Sequence, residues 1–174
     1  MRHTISVLVE NEFGVLARVA GLFSGRGFNI ESLSVAETLD PTVSRITLVT
    51  RGDDRVLEQI EKQLNKLICV IKVTDFTDTE HVERELVLLK VTADERTRGE
   101  VASIVDIFRG KIVDVSRRSY IIEATGSEDK IDALIALLKP IGIKEIVRTG
   151  KVAMFRGTST LTVDGKEKER AASC

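Results

Sequence analysis

The chain has 174 residues, 43% hydrophobic and 30% charged, a composition of soluble globular proteins and not of disordered ones. Its formal net charge is −1 with both signs interspersed. No basic arm or stripe of the kind that neutralises phosphates is present, which argues against a nucleic-acid partner. Aromatics make up only 4% and Trp is absent, so the core must be built from Val, Ile and Leu.

The longest apolar runs, such as Ile5 to Val9, are too short to cross a bilayer, and strand-like sequence begins too early for a signal peptide. Cys69 and Cys174 make no disulfide framework, so a reducing cytoplasm is the expected location. His3 and His81 are isolated, without metal-ligand spacing around them, and read as ordinary surface residues.

In chain order, Thr4 to Val9 is a β-branched, apolar strand, followed by the loop Glu10-Asn11-Glu12-Phe13-Gly14. Apolar residues at Leu16, Val19, Ala20 and Phe23 have helical spacing, and Gly27 ends that helix. Ile30 to Thr38 and Ser44 to Thr50 read as strands around the turn Asp40-Pro41. Asp53 or Asp54 caps a second helix with the stripe Leu57, Ile60, Leu64 and Leu67, and Val70 to Phe76 is a fourth strand. The order is β-α-β-β-α-β.

The second half repeats this order. Glu85 to Ala93 is a strand, Thr97 to Arg109 a helix, and Lys111 to Ser116 and Ser119 to Thr125 are strands. A helix over Glu128 to Leu138 and a strand over Ile143 to Arg148 complete it. The fold class expected is α+β, with two ferredoxin-like units over residues 1–78 and 79–157. Thr79 to Glu83 is the expected connector. Periodicity is lost after Gly150, and residues 158–174 read as a mobile tail.

This order of elements hosts unrelated functions, so the site must decide. An RNA-binding module would need stacking aromatics on its central strands, and Ile5 to Val9 and Ser44 to Thr50 contain none. No nucleophile, base and orienting group form a recognisable catalytic constellation. A third reading starts at Gly14, where the chain enters its first helix. Backbone N–H groups of residues 14 to 16 are expected to be unpaired there and to attract a carboxylate. Asn11 and Asn29 can offer side-chain oxygens to an ammonium group, and Leu16 and Ile30 an apolar surface. The plainer alternative is that Asn11 and Gly14 only shape a tight turn and Asn29 follows a helix cap. The equivalent junction of the second half, Ala93-Asp94-Glu95-Arg96-Thr97-Arg98-Gly99, is charged instead. That contrast suggests that one half recognises a ligand while the other packs or docks.

The stretch Glu10-Asn11-Glu12-Phe13-Gly14-Val15-Leu16-Ala17-Arg18-Val19, with Gly21-Leu22-Phe23-Ser24-Gly25-Arg26-Gly27-Phe28-Asn29-Ile30-Glu31-Ser32-Leu33-Ser34-Val35, resembles the small regulatory subunit of acetohydroxyacid (acetolactate) synthase. Asp40-Pro41-Thr42, Val82-Glu83-Arg84-Glu85, Ile107-Phe108-Arg109-Gly110 and Arg148-Thr149-Gly150 extend the resemblance to about residues 1 to 157. It implies that the first unit is an ACT domain, which binds an amino-acid effector and activates a catalytic subunit, and that the chain is not itself an enzyme. It further implies a catalytic large subunit as partner, carrying thiamine diphosphate, magnesium and FAD, none of which this chain would hold. That partner condenses two pyruvates, or pyruvate with 2-oxobutyrate, in branched-chain amino-acid synthesis. The small subunit of the family activates it and confers feedback inhibition, usually by valine. Positions matching the effector site are Asn11, Gly14, Val15, Leu16, Asn29 and Ile30, with no catalytic or metal residues. A homodimer or higher homo-oligomer is expected, because an open sheet leaves edges to be paired. Phe13, Ala17 and Phe28 depart from the family pattern. A free-standing amino-acid sensor acting on another enzyme or on transcription is the alternative.

Overall fold

The computed structural model describes residues 1–163; residues 164–174, most of the expected tail, lie outside the described residues. The chain divides into two units, Met1–Val82 with the described residues from Lys151 on, and Glu83–Gly150. The first contains β1 (Arg2–Glu10), α1 (Val15–Gly25), β2 (Ile30–Glu37), β3 (Val43–Arg51), α2 (Asp54–Leu64) and β4 (Val70–Asp75). Its antiparallel sheet has the order β2-β3-β1-β4.

Alternation along the strands assigns the faces. Ile5, Val7 and Val9 of β1 and Ile46 and Leu48 of β3 join Val15, Val19 and Phe23 of α1 and Ile60 and Leu64 of α2 in one core. The sequence stripe on α1 holds at Val19 and Phe23, but at its start Val15 takes the buried place expected for Leu16, which is 42% exposed. Asp53 caps α2, its carboxylate accepting from the Val56 N–H at 2.9 Å. Beyond α1, Gly27 has φ 72°, the left-handed conformation that glycine adopts without a Cβ penalty.

The helix-free face of β1 is buried too, and it carries Thr4, Ser6 and Leu8. There Arg45 of β3 donates from Nε to Ser6 Oγ (2.8 Å) and from Nη2 to the Ala153 carbonyl (2.6 Å). Its guanidinium carbon lies 6.0 Å from the Phe76 ring centre, and Phe76 in turn packs on Phe155 at 4.8 Å. Burial pushes the Arg45 pKa down from its usual value. Ala153 and Phe155 belong to a short strand, β9 (Val152–Phe155), which pairs with β5 (His81–Thr92).

Three expectations are corrected here. The connector expected over Thr79 to Glu83 is already strand from His81, and residues after Gly150 form β9 and join the first unit instead of ending the second. Four consecutive apolar residues show no alternation, so their strand character was hidden until pairing revealed it. His3 is not a surface residue: it is 1% exposed, with Nδ1 2.9 Å from Thr77 Oγ1 and Nε2 3.2 Å from the Gly52 carbonyl. His81 is half-buried with its ring against Phe76.

The second unit contains most of β5, then α3 (Arg98–Ile107), β6 (Lys111–Val115), β7 (Ser119–Gly126), α4 (Glu128–Leu138) and β8 (Ile143–Arg148), in the sheet order β6-β7-β5-β8. Val87, Leu89 and Val91 of β5 pack with Val101, Val105, Ile122, Ile131, Leu134 and Leu138. At its edge Arg148 forms a bidentate pair with the buried Glu85, Nε to Oε1 at 2.7 Å and Nη2 to Oε2 at 2.6 Å. Both residues lie in segments that carried the family resemblance. The bond to Glu85 raises the Arg148 pKa further above its usual value. Arg148→Ala would leave the Glu85 carboxylate buried without its cation. A loss of about 2–3 kcal/mol is expected, below the range for fully buried pairs because Arg148 keeps 36% of its side chain exposed. Urea unfolding should show it, and an unchanged midpoint would mean that the pair contributes nothing net.

Candidate effector site

β1 delivers the chain to Asn11, and α1 begins four residues later. Gly14 is the N-cap of α1, with φ 83° and ψ −6° and no side-chain cap bond. A Cβ added there would meet nothing within 4 Å, so the requirement for glycine is conformational, not spatial. Asn11 fixes the loop from the other side. Its N–H donates to the Thr42 carbonyl (2.8 Å), and its Nδ2 donates to Glu37 Oε1 (3.0 Å) and the Pro41 carbonyl (2.9 Å). Both amide hydrogens are thereby spent within the chain, which leaves Oδ1 as the atom able to receive a donor.

The N–H groups of Gly14 and Leu16 have no protein acceptor among the described residues, as expected. The Val15 N–H is the exception, donating at a long 3.4 Å to the Glu12 carbonyl. Val15 points its side chain into the core at 4% exposure, so only its backbone faces the loop. Leu16 stands on the exposed side of α1.

Asn29 and Ile30 are elsewhere. The Asn29 carbonyl accepts from Thr50 Oγ1 at 2.7 Å, and Ile30 opposes Thr50 in the β2–β3 ladder. Asn11 instead bonds to Glu37, the last residue of β2. Seven strand steps separate Ile30 from Glu37, about 23 Å at a strand's usual rise. Within one chain, Asn11, Gly14, Val15 and Leu16 therefore gather at one end of β2, and Asn29 and Ile30 sit at the other. β2 is an edge of its sheet.

The corresponding junction of the second unit is closed by its own side chain. Asp94 Oδ1 accepts from the N–H groups of Arg96 (2.9 Å) and Thr97 (3.0 Å) and from Thr97 Oγ1 (3.0 Å). The bonds from Thr97 and Arg96 hold this carboxyl below its usual pKa. A carboxylate of the chain thus takes up the N–H of the N-cap Thr97, whereas the N–H of the N-cap Gly14 has no acceptor among the described residues. Glu37 was missed from the sequence because its part depends on the Asp40-Pro41 turn folding β2 back toward Asn11. Arg45 was missed because nothing local distinguishes it from a surface cation. Among the described residues no group of three His, Cys, Asp or Glu could hold a metal, and no helix is long and apolar enough to cross a membrane.

Residues 5–72 match the family described as the AHAS small subunit-like ACT domain, and residues 84–157 the small subunit of acetolactate synthase. The acetolactate synthase small subunit of Aquifex aeolicus is 59% identical over 159 residues, covering 91% of this chain and 83% of that protein. That of Haemophilus influenzae is 53% identical over 162 residues, covering 92% of this chain and 99% of the relative. The crystal structure of the acetolactate synthase small subunit from Thermotoga maritima superposes with a TM-score of 0.83 at 48% identity, over 91% of this chain and 99% of that one. An open N–H junction on the first repeat, a self-capped one on the second and these full-length likenesses lead to one assignment: the chain belongs to the family of acetolactate synthase small subunits, the regulatory partners of a catalytic large subunit.

Proposed function

We propose that this regulatory subunit senses valine at a site completed by two copies of its first unit, and that valine bound there inhibits the large subunit. The observation that carries the reading is the placement of the two half-sites at opposite ends of an edge strand. Antiparallel pairing of β2 with β2 of a second copy, about a two-fold axis, brings Asn29 and Ile30 of one chain to Asn11 and Gly14 of the other. The open N–H groups at Gly14 and Leu16 receive the effector carboxylate, helped by the helix dipole. Asn11 Oδ1 accepts from its ammonium group, and Leu16 and Ile30 offer apolar surface to its side chain. A charged side chain finds no partner among these residues.

On this reading the complex works in the cytoplasm, in the synthesis of branched-chain amino acids. The large subunit supplies thiamine diphosphate, magnesium and FAD and condenses pyruvate. The family assignment favours this role over a free-standing sensor. Reconstitution tests it: this chain alone should form no acetolactate, and adding it to the large subunit should raise activity several-fold. Acetolactate formation by the chain alone would refute the regulatory role.

Gly14→Asp tests the site. At φ 83° the substitution costs about 1 kcal/mol of backbone strain, with Asp among the better tolerated residues there. The new carboxylate competes for the same N–H groups and repels the effector. At a hundredfold excess over Kd, valine should add about 2.7 kcal/mol to the stability of the unmodified protein. It should raise the melting temperature by several degrees and leave that of Gly14→Asp unmoved. The variant should still activate the synthase while losing valine inhibition, since a ligand that no longer binds shifts no equilibrium. A folded Gly14→Asp subunit that remains fully valine-sensitive would place the effector elsewhere.

A further inference from the structure

The second unit has a surface that effector sensing does not use. Arg96 and Arg98, at the start of α3, and Arg117 and Arg118, in the β6–β7 turn, line one open cleft of about 600 Å³. The turn is held in place. The Arg118 carbonyl accepts from the Ala93 N–H at 3.1 Å and from Lys144 Nζ at 3.4 Å, and Ser116 and Ser119 bond across it. Two carboxylates share the cleft, but Asp94 is committed to its own loop. Arg117 and Arg118 make no ion pair among the described residues, whereas Arg2, Arg51 and Arg148 each find a carboxylate. A chain of net charge −1 thus sets four guanidinium groups against two carboxylates at one place.

Arg117 and Arg118 follow closely on an edge strand. β6 is an edge of its sheet, and Val113 and Val115, just before the arginines, are 52% and 66% exposed. Arginine beside exposed apolar side chains and an unpaired strand edge is the composition of a protein interface. A second copy is a poor occupant. Antiparallel β6–β6 pairing would bring Arg117 of each chain toward Lys111 of the other, cation against cation. A compact dianion is also disfavoured, because the cleft, about 600 Å³, is open and does not enclose a small ion.

We infer that the β6 edge and the Arg96, Arg98, Arg117 and Arg118 cleft form a docking surface for an acidic segment of the catalytic large subunit. The inference rests on the subunit assignment above. Charge complementarity selects an acidic partner, and the subunit assignment makes the large subunit the protein to offer it.

The test measures affinity of the full-length chain for the large subunit by titration calorimetry at low and high salt. Arg117→Glu with Arg118→Glu should weaken binding at least tenfold at low salt and flatten its salt dependence. Arg117→Lys with Arg118→Lys should recover most of it. The valine-induced melting shift of the isolated chain should persist in both, which shows that the first unit is intact. Equal affinity of the reversed-charge variant and the unmodified chain overturns the docking surface while leaving the subunit role standing. No binding by the unmodified chain overturns both. Saturable binding of inorganic phosphate, lost in the variant, would assign the cleft to a small anion instead. A change in the self-association of the chain alone on sedimentation would assign it to a second copy.

Discussion

Burying β1 on both faces forces every side chain from Thr4 to Val9 to be apolar or a small hydroxyl, and commits its backbone to β3 and β4. The helix-covered face is satisfied by aliphatic packing alone. The other face has hydroxyl groups to satisfy, and Arg45 meets that need with donors that reach both Ser6 and the carbonyl of Ala153. A guanidinium suits the position because its fixed fork serves two acceptors while its plane lies near an aromatic ring. The strand that follows the second unit is thereby tied to the first.

The same pairing determines where function can reside. With β1 and β3 central, β2 is left at an edge, and the antiparallel register sends its two ends to opposite sides of the sheet. The Asn11 loop is anchored at one end through Glu37, Pro41 and Thr42, and Asn29 is anchored at the other through Thr50. A small amino acid cannot span that distance. On the proposed reading, a site that uses both ends needs a second chain.

The two repeats differ at the entrance to their first helix. At Gly14 the helix entrance has a left-handed glycine and no side-chain cap, and the N–H groups of Gly14 and Leu16 have no acceptor among the described residues. At Asp94 the entrance is closed by an internal carboxylate, and the surrounding charges face outward. One scaffold thus carries an uncapped helix entrance on one unit and an arginine-lined surface on the other.

The sequence alone specified both repeats, because helical and strand periodicities, the Asp53 cap and the glycine breaks act over a few residues. α4 and β8 lie where their apolar pattern put them, and the loop from Asn11 to Gly14 was legible from residue type. What depends on distant partners was not. β9 is four apolar residues without alternation, and its strand character comes from β5. The burial of His3 comes from Thr77 and Gly52, and the role of Arg45 comes from a carbonyl 108 residues away. Only the register of β2 against β3 decided that Asn11 and Asn29 lie far apart within one chain. Local pattern reports residue type and turn chemistry, but the separation of such residues is set by strand pairing, which joins segments that carry no mark of each other.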